Sequence, residues 1–210
     1  MSAEAQIDTK LSLTLAALDL FADQGIDAVS MRNINAAAGA RNASAVHYHF
    51  GNKAGMIEAI LDFIRGELNI SRAPALVELE NQAEAATCRE ILWAAFEPYA
   101  RLYSAPVYGS SAIRFMARLQ LHLSTHIHDR FYQDPQRVHH RFDTLLAKAL
   151  PHLTEEVRRT RYLIFWTLMV QGLANAEGMS NTVFGDMRAD NRREAQHRFF
   201  DYLVGGVQTA

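Results

Sequence analysis

The sequence contains few of the features that mark secreted or membrane-spanning proteins. It has a single cysteine, Cys88, so no disulfide bond can form within the chain, and a reducing compartment is expected. No apolar run reaches the roughly 18 residues of a membrane span, because Gln171 and Asn175 interrupt the most apolar stretch, residues 162–176. The N-terminal residues also lack the basic start of a signal peptide. We therefore predict a cytoplasmic protein with no membrane partner.

The motifs of the common enzyme classes are also missing. The sequence has no HExxH zinc motif, no phosphate-binding P-loop, no dinucleotide-binding glycine fingerprint and no serine nucleophile elbow. Its formal net charge is only -2, which argues against a protein that coats nucleic acid or anionic membrane through bulk attraction. We predict no enzymatic activity and no cofactor. Any nucleic-acid site must be local.

Helical periodicity is present throughout, and no alternating strand pattern interrupts it. Gly25 and Gly39 are predicted to end the first two helices, and Ser30 to cap the second. The sequence therefore predicts an all-α protein with a three-helix head, residues 1–53, and a larger helical bundle, residues 54–210.

The long helices of the bundle are predicted from breaks in the apolar pattern. A fourth helix begins near Lys53 and is predicted to end near Leu68, with longer helices beginning after Pro74. A later break is predicted at residues 126–134. Thr154 is a predicted N-cap, because two glutamates follow it in the first turn.

A very short third helix in the head carries an unusual set of polar residues. Val46 and Phe50 are four residues apart and define its apolar edge, and Gly51 ends it. The remaining surface is predicted to hold Ser44, Ala45, His47, Tyr48 and His49. Small residues would let such a helix approach base edges, while histidine, tyrosine, arginine and lysine side chains can donate hydrogen bonds to phosphate oxygens. This pattern is typical of a helix-turn-helix.

The segment ALDLFADQGIDAVSMRNINAAAGARNASAVHYHFGNKAGMIEAIL resembles the N-terminal DNA-binding domain of the TetR family of bacterial transcriptional regulators. The resemblance covers roughly residues 10–65, and the order of YHFGNK before an apolar helix is its most specific element. It implies a recognition helix in the major groove, with His49 and Lys53 at phosphate-contacting positions. The residues predicted to bind DNA are Arg32, Arg41, Asn42, Ser44, Ala45, His47, Tyr48, His49 and Lys53.

The head differs in two ways from what the resemblance leads us to expect. One difference is the length of its turn, and the other is its low content of basic residues. The turn GARNAS is one residue longer, and residues 1–60 hold four basic residues against six acidic ones. We therefore predict modest non-specific binding to DNA and a strong dependence on a few correctly placed contacts.

The resemblance further implies that the bundle forms a homodimer and binds a small-molecule effector, so that the protein is a repressor of a palindromic double-stranded operator. Two late helices carry the residues predicted to form the dimer, although the same faces could instead pack within the chain. They are Ile164, Leu168 and residues 171–175 on the first helix, and Phe199, Tyr202, Leu203 and Val207 on the second.

The effector is expected to be largely apolar, because methionine and aromatic residues recur at helical spacing in the middle of the bundle. The same stripes are also typical of an ordinary core. Arg114 and Arg118, one turn apart, could meet an anionic group or lie on a solvated face. The predicted effector-binding residues are Trp93, Phe96, Tyr99, Tyr103, Phe115, Met116, Leu119, Phe142, Phe165, Trp166 and Met169.

Two other functions remain open from the residues alone. His122 and His126 are four residues apart with His128 nearby, a spacing that can bind a divalent transition metal, so a metal-binding enzyme is one alternative. A helical interaction module that binds neither DNA nor metal is the other.

Overall fold

The computed structural model describes residues 3–40, 44–82, 86–121, 125–186 and 192–209. In these ranges the regular structure is helical, apart from an isolated bridge between Thr182 and Gly185. This confirms the all-α prediction. The helices are α1 (Ala3–Gln24), α2 (Met31–Ala37), α3 (Ala45–Phe50), α4 (Lys53–Asn81), α5 (Cys88–Tyr103), α6 (Gly109–Leu121), α7 (Thr125–Ala149), α8 (Glu155–Ala174) and α9 (Arg192–Gln208), with a 3-10 turn at Ala176–Ser180.

Local signals in the sequence set the ends of the short helices in the head. Gly25 has a φ of 87° and its N–H donates to the Phe21 carbonyl, which ends α1. Ser30 and Asn33 form a reciprocal capping box that begins α2. Gly39, with a φ of 62°, lies just after α2. The predicted stops and cap are therefore confirmed.

The bundle differs from its predicted boundaries in two places. α4 passes through Pro74 and ends at Asn81, so the predicted end near Leu68 was wrong. Proline removes one backbone hydrogen bond, to the carbonyl of Ile70, and Ile70 lies on an exposed face where water can replace that bond. The predicted break at residues 126–134 was also wrong, since α7 is continuous from Thr125. The Thr154 cap is confirmed, because its side chain accepts from the Val157 N–H.

Head and bundle share one continuous apolar core. α1 packs against α6 of the bundle as well as against α2 and α4, and the rings of Phe21 and Phe115 stack with centroids 6.1 Å apart. The predicted boundary at residue 53 falls at the first residue of α4, a helix that contacts both parts, and it stays a prediction. Within the described ranges, no helix is long and apolar enough to cross a membrane.

Candidate nucleic-acid interface and effector region

α3 is held in place by apolar contacts on one edge and by a buried polar side chain. Val46 is fully buried and Phe50 is 9% exposed. The Val46 N–H donates to Oδ1 of Asn35, a residue of α2 that is only 6% exposed, over 3.2 Å. Because a buried amide without a partner is costly, this bond favours one position of α3 against α2. Asn35 was not among the predicted site residues, and its polar type beside the buried Ile34 is the sequence signal that could have indicated it.

The outward surface of α3 carries an exposed aromatic residue and two histidines. Tyr48 is 75% exposed, and its ring meets the ring of His49 edge-on at 5.1 Å. Nδ1 of His47 donates to the Gly51 carbonyl over 2.9 Å, and the residue is exposed. Ser44 is exposed at the start of the helix. Ser44, His47 and Tyr48 stand at positions i, i+3 and i+4 and so share one exposed face of α3, with the partly buried His49 next to Tyr48.

Other predicted DNA-binding residues are placed differently. Ala45 is buried, at 9% exposure, so the expectation that it shares the outward surface was wrong; it directly precedes Val46 and packs with it into the head. Lys53 Nζ donates to the carbonyls of Ile26 and Asp27, at 2.9 and 3.4 Å, and so ties the start of α4 to the turn after α1. Arg32 is exposed on α2.

Two predicted contacts, Arg41 and Asn42, lie outside the described residues, between α2 and α3 in the sequence. Their contribution to DNA binding stays a prediction.

Arg114 and Arg118 of α6 hold the C-terminal end of α1, a contact we call the α1 clamp. Arg118 Nε donates to the Ala22 carbonyl over 2.7 Å and Nη2 to the Asp23 carbonyl over 2.9 Å. Arg114 forms an ion pair with the Asp23 carboxylate at 2.9 Å. Cations at the C-terminal end of a helix satisfy its last carbonyls and complement its dipole. In this structure both arginines therefore engage the end of α1, and they join head to bundle.

We expect Arg118→Gln to loosen the last turn of α1. The change removes two charge-assisted hydrogen bonds at an exposed site, so the free energy of unfolding should fall by about 1 kcal/mol. Amide hydrogen exchange at the end of α1 should also become faster. Arg101→Gln is the matched control, because Arg101 Nη2 donates to the carbonyl of Glu67 within the bundle. Equal exchange at the end of α1 in both variants would contradict this role of the clamp.

The predicted effector-binding residues lie in or against the core of the bundle. Nine of them are buried, while Trp93 and Tyr103 are partly buried. Phe115 packs against Phe21 of α1 and so belongs to the contact between head and bundle. Trp166 Nε1 donates to the Tyr99 hydroxyl over 3.1 Å. The effector role of this set stays a prediction.

Further polar groups surround the pair formed by Trp166 and Tyr99. His139 of α7 shares a hydrogen bond of 2.9 Å with the Tyr162 hydroxyl of α8, and its ring lies 5.2 Å from the ring of Trp166. Burial, and after it the charge of Arg72 on α4, lowers the pKa of His139 to about 4. Burial also raises the pKa of Tyr162 well above its usual value. At neutral pH both side chains are therefore uncharged. We call Arg72, Tyr99, His139, Tyr162 and Trp166 the buried polar cluster.

A groove of about 600 Å³ lies between α4, α5 and α9. Ser71, Glu78, Trp93, Glu97 and His197 are among its lining residues, and the rings of Trp93 and His197 stack 5.1 Å apart. Of the predicted effector residues, all in the described part of the chain, only Trp93 lines this groove.

The metal alternative receives no support from the described side chains. Among them no group of three histidine, cysteine or acidic side chains is arranged to hold a metal ion. His122, and the side chains of His126 and His128, lie outside the part of the chain that the structure describes in this detail.

Two family descriptions match the chain. Residues 13–60 match "Bacterial regulatory proteins, tetR family", and residues 93–206 match "Tetracyclin repressor-like, C-terminal domain". The first match contains α2, α3 and the start of α4, and the second contains most of the bundle. No protein of curated function matches the chain by sequence.

Solved structures share the fold at low sequence identity. One is the crystal structure of Probable transcriptional regulatory protein RHA5900, with 14% identity, a TM-score of 0.65, and coverage of 96% of this chain and 100% of that one. Another is the TetR Family Transcriptional Regulator PfmR from Thermus thermophilus, with 19% identity, a TM-score of 0.51, and coverage of 94% and 96%. Together with the two family matches and the geometry of α3, they leave one conclusion: the chain belongs to the TetR family and is a DNA-binding transcriptional regulator.

Proposed function

We propose that the protein is a homodimeric repressor that leaves a palindromic operator when a small, largely apolar effector binds in its bundle. The observation that carries the proposal is the outward face of α3. Ser44, His47 and Tyr48 share this face, with His49 beside Tyr48, on a helix fixed to the head by Val46 and Asn35. A recognition helix presented in this way fits the major groove, where side chains read base edges and contact phosphates.

A dimer is supported by exposed apolar side chains on the last two helices. Ile164 and Leu168 of α8 are 53% and 42% exposed, and Tyr202 of α9 is 73% exposed. Several of the other predicted dimer residues pack within the chain instead. Leu203 and Val207 are buried, the ring of Phe199 lies against Gly172, and Gln171 donates to the Ala117 carbonyl. Reading two half-sites about 34 to 36 Å apart requires two recognition helices, and a twofold dimer supplies them.

Coupling between effector and operator would use α4 and α6. α4 begins beside α3, and α6 holds the end of α1 through the α1 clamp. An effector that binds more tightly to one arrangement of these helices shifts the population towards it, and the separation of the two recognition helices changes accordingly. Equal effector affinity for free and operator-bound dimer would contradict this mechanism.

The decisive experiment is a fluorescence-anisotropy titration of the purified protein against DNA from its own upstream region, at two salt concentrations and with random DNA as competitor. Saturable binding that resists the competitor, with two protomers on each operator, is expected. If repeated rounds of selection from random-sequence DNA yielded no bound sequence, the proposal would be wrong.

In the same titration, we expect Tyr48→Ala to weaken operator binding about tenfold, or ~1.4 kcal/mol, and to do so for all operator sequences. Phe184→Ala is the matched control, because Phe184 is an equally exposed aromatic residue, at 84%, outside the head. We expect the control to bind like the wild type. If the Tyr48→Ala variant kept wild-type affinity for the operator, Tyr48 would not belong to the DNA interface.

A further inference from the structure

Arg72 is a cation inside the bundle that has no carboxylate partner among the described residues. It is 7% exposed, and its hydrogen bonds go to a neutral side chain, that of Asn69 one turn earlier on α4. Removing a guanidinium from water is costly, and an amide oxygen compensates less than an anion does. The buried guanidinium is therefore unfavourable unless an anion from outside the described residues pairs with it.

The other buried charges cannot neutralise Arg72. The buried charged residues in the described part of the chain are Arg72, Asp143 and Arg158. The Asp143 carboxylate is already bonded to two guanidiniums, with Oδ1 at 2.8 Å from Arg158 and Oδ2 at 2.7 Å from Arg159. Among these residues the buried part of the bundle consequently has an excess of positive charge.

The guanidinium of Arg72 presents the edge that binds carboxylates best. Its Nε and Nη2 both point at one oxygen, Oδ1 of Asn69, over 3.2 and 2.7 Å. The same two N–H groups fit the two oxygens of a carboxylate in a bidentate pair, which is stronger than two bonds to one neutral acceptor. Asn69 itself is exposed on α4, so it can turn away at little cost.

The surroundings of Arg72 suit a ligand with a polar end and an apolar body. Its charge acts on both His139 and Tyr162, which are members of the buried polar cluster on α7 and α8. Tyr162 in turn has aromatic neighbours: its ring lies 6.2 Å from the ring of Phe142 and 6.3 Å from the ring of Phe165.

We propose that Arg72 is the counter-ion for the carboxylate of an amphipathic effector, whose apolar chain lies among the aromatic side chains of α5, α7 and α8. This inference rests on the proposed function only in taking the bundle to be the effector-binding part. It adds the chemical class of the ligand and the residue that selects it.

The test uses three probes that share a ten-carbon chain and differ in the charge of the head group: decanoate, decanol and decylamine. Binding to the full-length protein is measured by calorimetry and by tryptophan fluorescence, because Trp166 lies in the cluster. We expect decanoate to bind at least about tenfold more tightly than the other two, as a charged hydrogen-bonded pair requires. Equal binding of all three, or saturable binding of none, would overturn the inference.

Two variants test whether a preference for decanoate over the other two probes depends on Arg72. Arg72→Gln keeps a polar side chain and removes the charge, and we expect it to abolish the preference for decanoate. Arg65→Gln is the matched control on the same helix, since Arg65 pairs with the exposed Asp62, and it should keep the preference. An Arg72→Gln protein that still selects decanoate would reject the role of Arg72. The comparison of the three probes on the wild-type chain remains valid if this variant fails to fold.

Operator titrations separate this inference from the proposed function. A protein that selects decanoate through Arg72 but binds no operator would reject the repressor and keep the carboxylate site. A protein that binds an operator but shows no preference for decanoate would keep the regulator and reject the carboxylate site.

Discussion

Replacing Gly55 with alanine is expected to destabilise the head and to abolish tight operator binding. A Cβ at this position would lie 2.1 Å from the backbone carbonyl oxygen of Phe50, the last residue of α3. The Gly55 N–H also donates to Asn52 Oδ1, the N-cap of α4, so the residue cannot move away without losing the cap. Overcrowding of this kind costs about 2 to 3 kcal/mol.

The matched control is Gly66→Ala, in the interior of the same helix. Its Cβ would meet nothing within 4 Å, so alanine should raise the free energy of unfolding by up to about 1 kcal/mol through helix propensity. Chemical denaturation and operator titration of both variants give the comparison. If Gly55→Ala matched Gly66→Ala in stability and in operator affinity, the junction between α3 and α4 would be less constrained than the structure shows.

Replacing Asp143 with asparagine is expected to have the largest effect on stability in the bundle. Asp143 and Arg158 are each 8% exposed, and Asp143 bonds Arg159 as well. Burial alone would raise the pKa of Asp143, but hydrogen bonds from the two guanidiniums, and their charges, hold it below its ordinary value. The carboxylate is therefore ionised at neutral pH, and its removal leaves Arg158 buried without an anion. Such a loss costs about 3 to 5 kcal/mol.

Asp62→Asn is the corresponding control on the surface. Asp62 pairs with Arg65 at 3.0 Å, but its side chain is 70% exposed, and exposed pairs contribute about 0 to 1 kcal/mol. Denaturation of both variants at neutral pH should separate them clearly. A small and equal effect of the two changes would mean that water reaches Arg158 freely. The double variant Asp143→Leu with Arg158→Leu should recover much of the loss, because it leaves no unpaired buried charge at this position.

The parts of the fold that could be predicted are those specified by neighbouring residues. Gly25, Ser30 and Gly51 act within one turn of their own positions, and their roles as stops and cap follow from backbone geometry and side-chain type. Pro74 shows the limit of such signals. Its cost to the helix is local, but the buried residues on both sides of it, Leu68 and Leu76, keep α4 continuous.

The parts that could not be predicted depend on contacts between residues far apart in the chain. The sequence places Arg114 and Arg118 one turn apart, but only the fold brings them to the end of α1, 95 residues away from Arg118 along the chain. The excess charge at Arg72 could not be predicted either, because the sequence does not distinguish an arginine that becomes buried from one that stays exposed. Ala45 was misassigned for a related reason, since a six-residue helix has too few apolar positions to define its buried side.

The length of α4 has a geometrical consequence for the distance between two operator half-sites. Its 29 residues span about 43 Å, at 1.5 Å per residue. As a rigid rod anchored at its far end, it would convert a tilt of about 5° into a displacement of about 4 Å at Lys53, slightly more than the 3.4 Å between stacked bases. A tilt of α4 that is too small to disturb a packed core is therefore large enough to move the recognition helix out of register with the DNA by a whole base step.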